Sequence, residues 1–335
     1  MELIESPMPT VGARDVLIRV HNAGVCGTDL HIWEWDAWAA ARLRPPVIVG
    51  HEFAGEVVDL GPEVAAEAIF APGDLVTAEG HLVCGDCVPC RTGNAHLCIR
   101  TQIIGVDRDG AFADYIAMPA TNVMKLDGIP TDIGAIMDPV GNAVHTALEG
   151  GEMAGATALV IGCGPIGCFA VGVLRAAGAT LVLASDFNPT RRELARRMGA
   201  HRVLDPASED VVAIARELTS GDGVDRVCEM SGHPAGHATA FAAARAGGRV
   251  NLLGTPSRTT EVDFAREVIF KGLTLYGVTG RRMYETWIQM RRLIGAGTLD
   301  PRPVITHRFP LEEIAEAIGV IKDGSAGKVI LEIDH

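Results

Sequence analysis

Two rhythms of apolar and polar residues divide this chain, and the change between them falls near residue 140. Before it, apolar positions come in short runs (DVLIRVHNAGV, GEVVDLG, DLVTAEGH, FADYIAMP), each cut off by Gly, Pro or Asp. Runs of that length and composition predict strands, and nothing there forces a long helix. From about 143 to 280, continuous apolar runs (ATALVIG, TLVLASD, DRVCEMS, GRVNLLG) alternate with helical stretches such as RRELARRMG and an Ala-rich segment. Strands apolar on both faces are covered on both faces, so this half predicts parallel strands joined by right-handed helical crossovers. After Met283 a helical ETWIQMRRLIGAG leads to strand-like VITHRF, helix-like LEEIAEAIGVI and strand-like KVILEI. That tail is expected to return to the first unit. The expected division is residues 1–142, completed by 285–335, and a nucleotide-binding unit over 143–284; the fold class is α/β, a β-rich domain beside a doubly wound parallel sheet.

Composition agrees and excludes some functions. A length of 335 residues suits about two domains, and 48% hydrophobic with 21% charged residues is ample for buried cores. The net charge of -13 repels phosphate backbones and anionic lipid, so neither nucleic acid nor a membrane is an expected partner. Residues 153–174 carry no charge, but Gly162, Gly164, Pro165 and Gly167 punctuate them, which fits a strand, a tight turn and a buried helix better than a membrane span. The opening MELIESPMPT has no signal-peptide pattern. Eight cysteines, four of them clustered and Cys26, Cys163, Cys168 and Cys228 scattered, fit a reducing compartment better than a disulfide scaffold.

The cluster is the loudest chemical signal. Cys84, Cys87, Cys90 and Cys98 lie in CGDCVPCRTGNAHLC, where thiolates at such gaps can converge tetrahedrally on one zinc ion. An iron–sulfur cluster is the nearest rival; bacterial ferredoxins use a shorter last gap followed by proline, whereas Ile99 follows Cys98 here. Four protein thiolates leave no open position, so this ion is expected to build structure and not to do chemistry. Cys26 in GVCGTDLH, with His51 and Glu52 in VGHEFAGEV, supplies the thiolate, imidazole and carboxylate of an open, catalytic zinc.

Gly162, Gly164 and Gly167 form VIGCGPIG between an apolar run and a helix, the context in which glycines let a pyrophosphate approach the positive helix N-terminus. Asp186 closes the next strand, placed to accept hydrogen bonds from an adenosine ribose. That favours NAD; Arg191 and Arg192, one turn on, could partly offset the repulsion of a 2′-phosphate.

At these residues the chain resembles the medium-chain zinc-dependent alcohol dehydrogenase family over nearly its full length. The Cys26 motif, the GHE motif, the four-cysteine lobe, the glycine-rich turn and the returning tail come in that family's order. CGTDLHIWEWDAWA, AEGHLVCGDCVPC, DPVGNAVHTAL, RRMYETW and ITHRF are similar to its threonine-oxidising branch. The resemblance implies a GroES-like catalytic domain and a Rossmann-type cofactor domain, two zinc ions per chain, and a cytoplasmic homotetramer. It implies oxidation of the β-hydroxyl of L-threonine to 2-amino-3-oxobutanoate with NAD+. By the same resemblance Cys26, His51 and Glu52 are catalytic-zinc ligands, Cys84, Cys87, Cys90 and Cys98 the structural set, and Thr28 and His31 a proton relay. Asp138 matches an acidic position that assists the proton path, and His81 a residue lining the substrate site. Ile166, Asp186, Arg191, Leu253, Gly254, Thr255, Val278 and Thr279 match cofactor contacts. Another polyol or secondary-alcohol dehydrogenase, and a non-catalytic NAD- or zinc-binding protein, are the competing expectations. The segment AEAIFAPG lies where relatives have a shorter turn, and the chain opens where they have already run a first strand.

Overall fold

A computed structural model describes residues 1–256 and 258–333. Two compact units emerge, residues 1–138 with 305 onward, and residues 139–304.

The first unit is built on the long strand β1 (Asp15–Val25). It is followed by β2 (Glu52–Leu60), β3 (Leu75–Ala78), β4 (His81–Leu82), β5 (Gln102–Ile103), β6 (Tyr115–Pro119) and β7 (Val123–Lys125). β1 pairs antiparallel with β2 along most of its length and with β6 over Asp15–Arg19. Val16, Ile18 and Val20 alternate inward from β1 and meet Phe53, Val57, Val76, Ile116 and Met118 in one core. The register that places Gly24 opposite Glu52 explains the glycine: a β-carbon there would lie 2.3 Å from Glu52 Oε2. AEAIFAPG is anchored: the helix Pro62–Glu67 ends at Ala68 in a left-handed conformation, and Phe70 then turns into the core.

The second unit holds β8 (Thr157–Ile161), β9 (Leu181–Ser185), β10 (Arg202–Leu204), β11 (Val224–Glu229), β12 (Ala244–Leu252) and β13 (Thr274–Gly277). All are parallel, in the order β10-β9-β8-β11-β12-β13. The strand order reverses between β8 and β11, the switch point at which such sheets bind dinucleotides. The uncharged run 153–174 is β8 and most of the helix Pro165–Ala176, and no described helix is long and apolar enough to cross a membrane.

The chain re-enters the first unit through β14 (Ile305–Pro310), the helix Ile314–Lys322 and β15 (Lys328–Glu332), which pairs with β1. This re-entry is later than the expected residue 285. The helix Glu285–Gly295 stays with the second unit, because Met290 packs on Gly141 and Leu299 on Gly172.

Candidate active site

Cys26 leaves β1 and caps the helix Gly27–Glu34, its backbone N–H donating to Asp29 Oδ2 at 2.8 Å. The sulfur thus sits at the positive end of a helix, which suits an anionic ligand. His51 precedes β2 and Glu52 opens it, and the antiparallel register carries both beside the end of β1. One ligand atom from each of Cys26, His51 and Glu52 lies within 4.8 Å of the others.

The surroundings of this trio fit a divalent cation. His51 Nδ1 and Glu52 Oε1 are buried without a hydrogen-bond partner, a costly state that a metal relieves. Fully buried Asp29 brings Oδ1 to 3.8 Å from His51 Nδ1, and Lys328 Nζ lies 2.5 Å from Glu52 Oε2 while donating to Val25 O at 2.8 Å. Cys26 as thiolate with Asp29 and Glu52 as carboxylates would set three negative charges against one ammonium, a deficit a divalent ion cancels. Without a metal, burial lowers the His51 pKa, but Asp29 and Cys26 more than reverse this and raise it to about 10.

The four-cysteine lobe fits one closed zinc. Its sulfurs stand 3.4 Å (Cys87–Cys90), 3.5 Å (Cys84–Cys98) and 3.9 Å (Cys84–Cys90) apart, against about 3.8 Å for tetrahedral thiolates on zinc at about 2.3 Å. Burial pushes the Cys98 thiol up, but N–H donors from Cys84 and Arg100 and the neighbouring thiols outweigh it and bring it down to about 6.

Thr28 Oγ1 lies 4.0 Å from Cys26 Sγ, and His31 follows three residues on, one helical turn away. His31 Nδ1 meets Asp36 Oδ2 at 2.7 Å, with its ring 6.1 Å from that of Trp38. Asp36 also caps the helix Ala37–Arg42 through Ala39 N–H; this bond and His31 hold its carboxyl below the usual range. Asp138, in the first turn of the helix Met137–Leu148, comes together with His81 and Glu79 within 4.8 Å.

In the second unit the expected cofactor residues gather at the carboxyl ends of the parallel strands. Gly162 follows β8 at φ +89, Gly167 abuts Gly162 O so closely that a β-carbon would lie 1.9 Å from it, and Ile166 is in the first helical turn. A β-carbon on Gly164, at the helix N-cap, would instead enter open space, the room a pyrophosphate needs. Asp186 follows β9 and accepts from Cys163 N–H and Asn188 N–H, both at 2.7 Å. Arg191 Nε is buried with no hydrogen-bond partner, whereas Arg192 is committed to the carbonyls of Asp186 and Phe187 and to Asp205. Leu253, Gly254 and Thr255 follow β12, and Val278 and Thr279 follow β13. The donor set, the open cradle and the carboxylate fit a dinucleotide.

Asp29, Lys328, Asp36 and Glu79 were not singled out from sequence. A lysine heading the apolar run KVILEI was the available signal for Lys328, since a buried lysine needs a partner.

Residues 12–128 match the alcohol dehydrogenase GroES-like domain, and residues 165–296 match zinc-binding dehydrogenase. The L-threonine 3-dehydrogenase of Bacillus licheniformis is 47% identical over 97% of this chain and 93% of its own. That of Symbiobacterium thermophilum is 48% identical over 99% and 94%. Among solved structures, a zinc-binding dehydrogenase of Sinorhizobium meliloti 1021 bound to NADP superposes with a TM-score of 0.87 at 31% identity, covering 98% of this chain and 94% of that one. With both of its domains matched and its relatives aligned over nearly their whole length, the chain belongs to the zinc-binding dehydrogenase family with an alcohol dehydrogenase GroES-like domain.

Proposed function

We propose that the chain oxidises the β-hydroxyl of L-threonine to 2-amino-3-oxobutanoate and passes the hydride to NAD+. The observation that carries the chemistry is the convergence of Cys26, His51 and Glu52, two of them holding buried atoms that lack partners. The similarity to L-threonine 3-dehydrogenases supports the substrate. Zinc held by these three residues would supply Lewis acidity toward the hydroxyl oxygen, and NAD+ a hydride acceptor.

The chain's own groups do the rest. Thr28 accepts the hydroxyl proton and hands it to His31, whose ring leads to solvent because its side chain is 60% exposed. Asp138 adds a carboxylate to the proton path, and His81 lines the substrate site. Gly162, Gly164 and Gly167 seat the pyrophosphate at a helix N-terminus, while Asp186 accepts from the adenosine ribose and disfavours a 2′-phosphate. Cys84, Cys87, Cys90 and Cys98 hold a second zinc that shapes the lobe. A cytoplasmic homotetramer completes the proposal, following the family resemblance.

The test is a substrate panel with purified, zinc-analysed protein. L-threonine with NAD+ should give the highest kcat/KM. Turnover of sorbitol or simple secondary alcohols but not of L-threonine would replace this function with that of a polyol or alcohol dehydrogenase; no turnover and one zinc per chain would indicate a binding protein.

A further inference from the structure

His31, the exposed end of the proposed proton path, is held by a carboxylate whose place is set by the turn that ends its own helix. Trp35 closes the helix Gly27–Glu34 in a left-handed conformation at φ 51, which swings the next residue back over the last turn. Asp36 N–H then donates to His31 O at 3.3 Å, and Asp36 Oδ2 meets the ring Nδ1 of the same residue at 2.7 Å. The other carboxylate oxygen, Oδ1, accepts from Ala39 N–H at 3.0 Å and caps the helix Ala37–Arg42. That helix is fixed beyond its cap: Ala39 and Leu43 share an apolar cluster with Ile32 and Val106, and Arg42 donates twice to Asp107, at 3.0 and 2.7 Å. A surface pair normally loses side-chain freedom to hold one geometry, whereas here the backbone of the turn presents both partners already aligned.

We infer that Asp36 is a positioning residue for the proton relay: it holds the His31 ring with hydrogen on Nδ1, so that Nε2 is the nitrogen that takes the proton from Thr28. The inference rests on the relay proposed above for Thr28 and His31, and not on which alcohol is oxidised. An ionised carboxylate can only accept, so the bond at Nδ1 carries its hydrogen on the ring, and a neutral ring then has its lone pair on Nε2. Among the described residues no group bonds Nε2, and Thr28 lies one turn earlier on the same helix face. In the step, the Thr28 O–H bond breaks as Thr28 receives the substrate's proton, and an Nε2–H bond forms. The ring carries one positive charge beside the carboxylate until Nε2 passes the proton to water. Asp36 stays ionised throughout, because Ala39 N–H and the His31 ring hold its carboxyl below the usual range. It touches no reacting atom and acts through His31.

The test uses the zinc-loaded full chain. In aromatic 1H–13C spectra of histidine-labelled protein at alkaline pH, the Cδ2 shift of His31, assigned by the signal that His31→Gln removes, should report hydrogen on Nδ1. Asp36→Asn keeps the cap, since Asn caps a helix as well as Asp does; its oxygen goes to Ala39 N–H and its NH2 faces the ring, so the hydrogen should move to Nε2. The kcat for L-threonine, or for whichever alcohol the substrate panel puts in its place, should fall about 10–100-fold with KM and zinc content little changed, and Asp36→Glu should recover part of it. In a His31→Gln background, Asp36→Asn should cost almost nothing further. A wild-type ring with hydrogen on Nε2 overturns the inference, as does the same fall in both backgrounds, which a merely structural role would give. If Asp36→Asn does not fold, the wild-type spectrum decides. A ring with hydrogen on Nδ1 but undiminished turnover in His31→Gln would overturn the relay itself while leaving Asp36's hold on the ring intact.

Discussion

Lys328 Nζ lies 2.5 Å from Glu52 Oε2, and both side chains are buried. The same ammonium donates to Val25 O, next to Cys26, so one cation from the returning tail ties together the two strands that deliver the proposed zinc ligands. Burial lowers its pKa, but Glu52 and Cys26 prevail and raise it. Lys328→Met leaves a buried carboxylate without its cation and should destabilise zinc-free protein by about 3–5 kcal/mol. Adding Glu52→Gln should recover a large part of the loss, as a double-mutant cycle by urea unfolding would measure. Additive losses would mean that the pair is not coupled.

The raised pKa of His51 gives zinc-free protein a stability that depends on pH. The folded-state value of about 10 exceeds the unfolded value of about 6.5, so the contribution is complete below about pH 6.5 and is lost as pH rises toward 10. Urea midpoints of chelator-treated wild type and His51→Asn should therefore converge between pH 7 and pH 10. A gap that widened with pH would contradict the charge arrangement around Asp29 and Cys26.

The two metal centres should separate by mutation. Cys26→Ser should lower turnover by at least about a thousandfold and cost one zinc, with little change in the melting temperature, because an open site contributes chemistry more than scaffold. Cys90→Ser should also cost one zinc but lower the melting temperature, because metal binding there is folding free energy. Metal analysis beside calorimetry reads both; equal melting shifts would contradict the division of roles.

What the sequence disclosed was set by distance along the chain. Cys84, Cys87, Cys90 and Cys98 fall within one short segment, and Gly162, Gly164 and Gly167 within a single turn, so local spacing carried their geometry. Cys26, His51 and Glu52 were legible because three ligand types fell in two neighbouring motifs. The supports were hidden because they are tertiary: Lys328 reaches Val25 across 303 positions, and Asn122 reaches back 43 to Glu79. The tail's re-entry was misplaced for the same reason, since only packing of Met290 and Leu299 reveals that Glu285–Gly295 belongs with the second unit.

Cofactor choice should turn on Asp186. Arg192 is already engaged by Asp205 and two carbonyls, so Arg191 alone remains to meet a 2′-phosphate, and the carboxylate of Asp186 opposes it. Asp186→Asn should raise the NADP+ to NAD+ ratio of kcat/KM by roughly 10–100-fold, the effect of removing about 1–3 kcal/mol of repulsion. A preference for NADP+ in the wild type would contradict the assignment.

The most direct test of the central claim follows the hydride itself. L-threonine deuterated at C3, incubated with zinc-loaded protein and NAD+, should yield reduced cofactor carrying deuterium from that carbon, detected by mass spectrometry. Reduced cofactor without label, or no reduction with L-threonine under conditions where a simple secondary alcohol is oxidised, would contradict it.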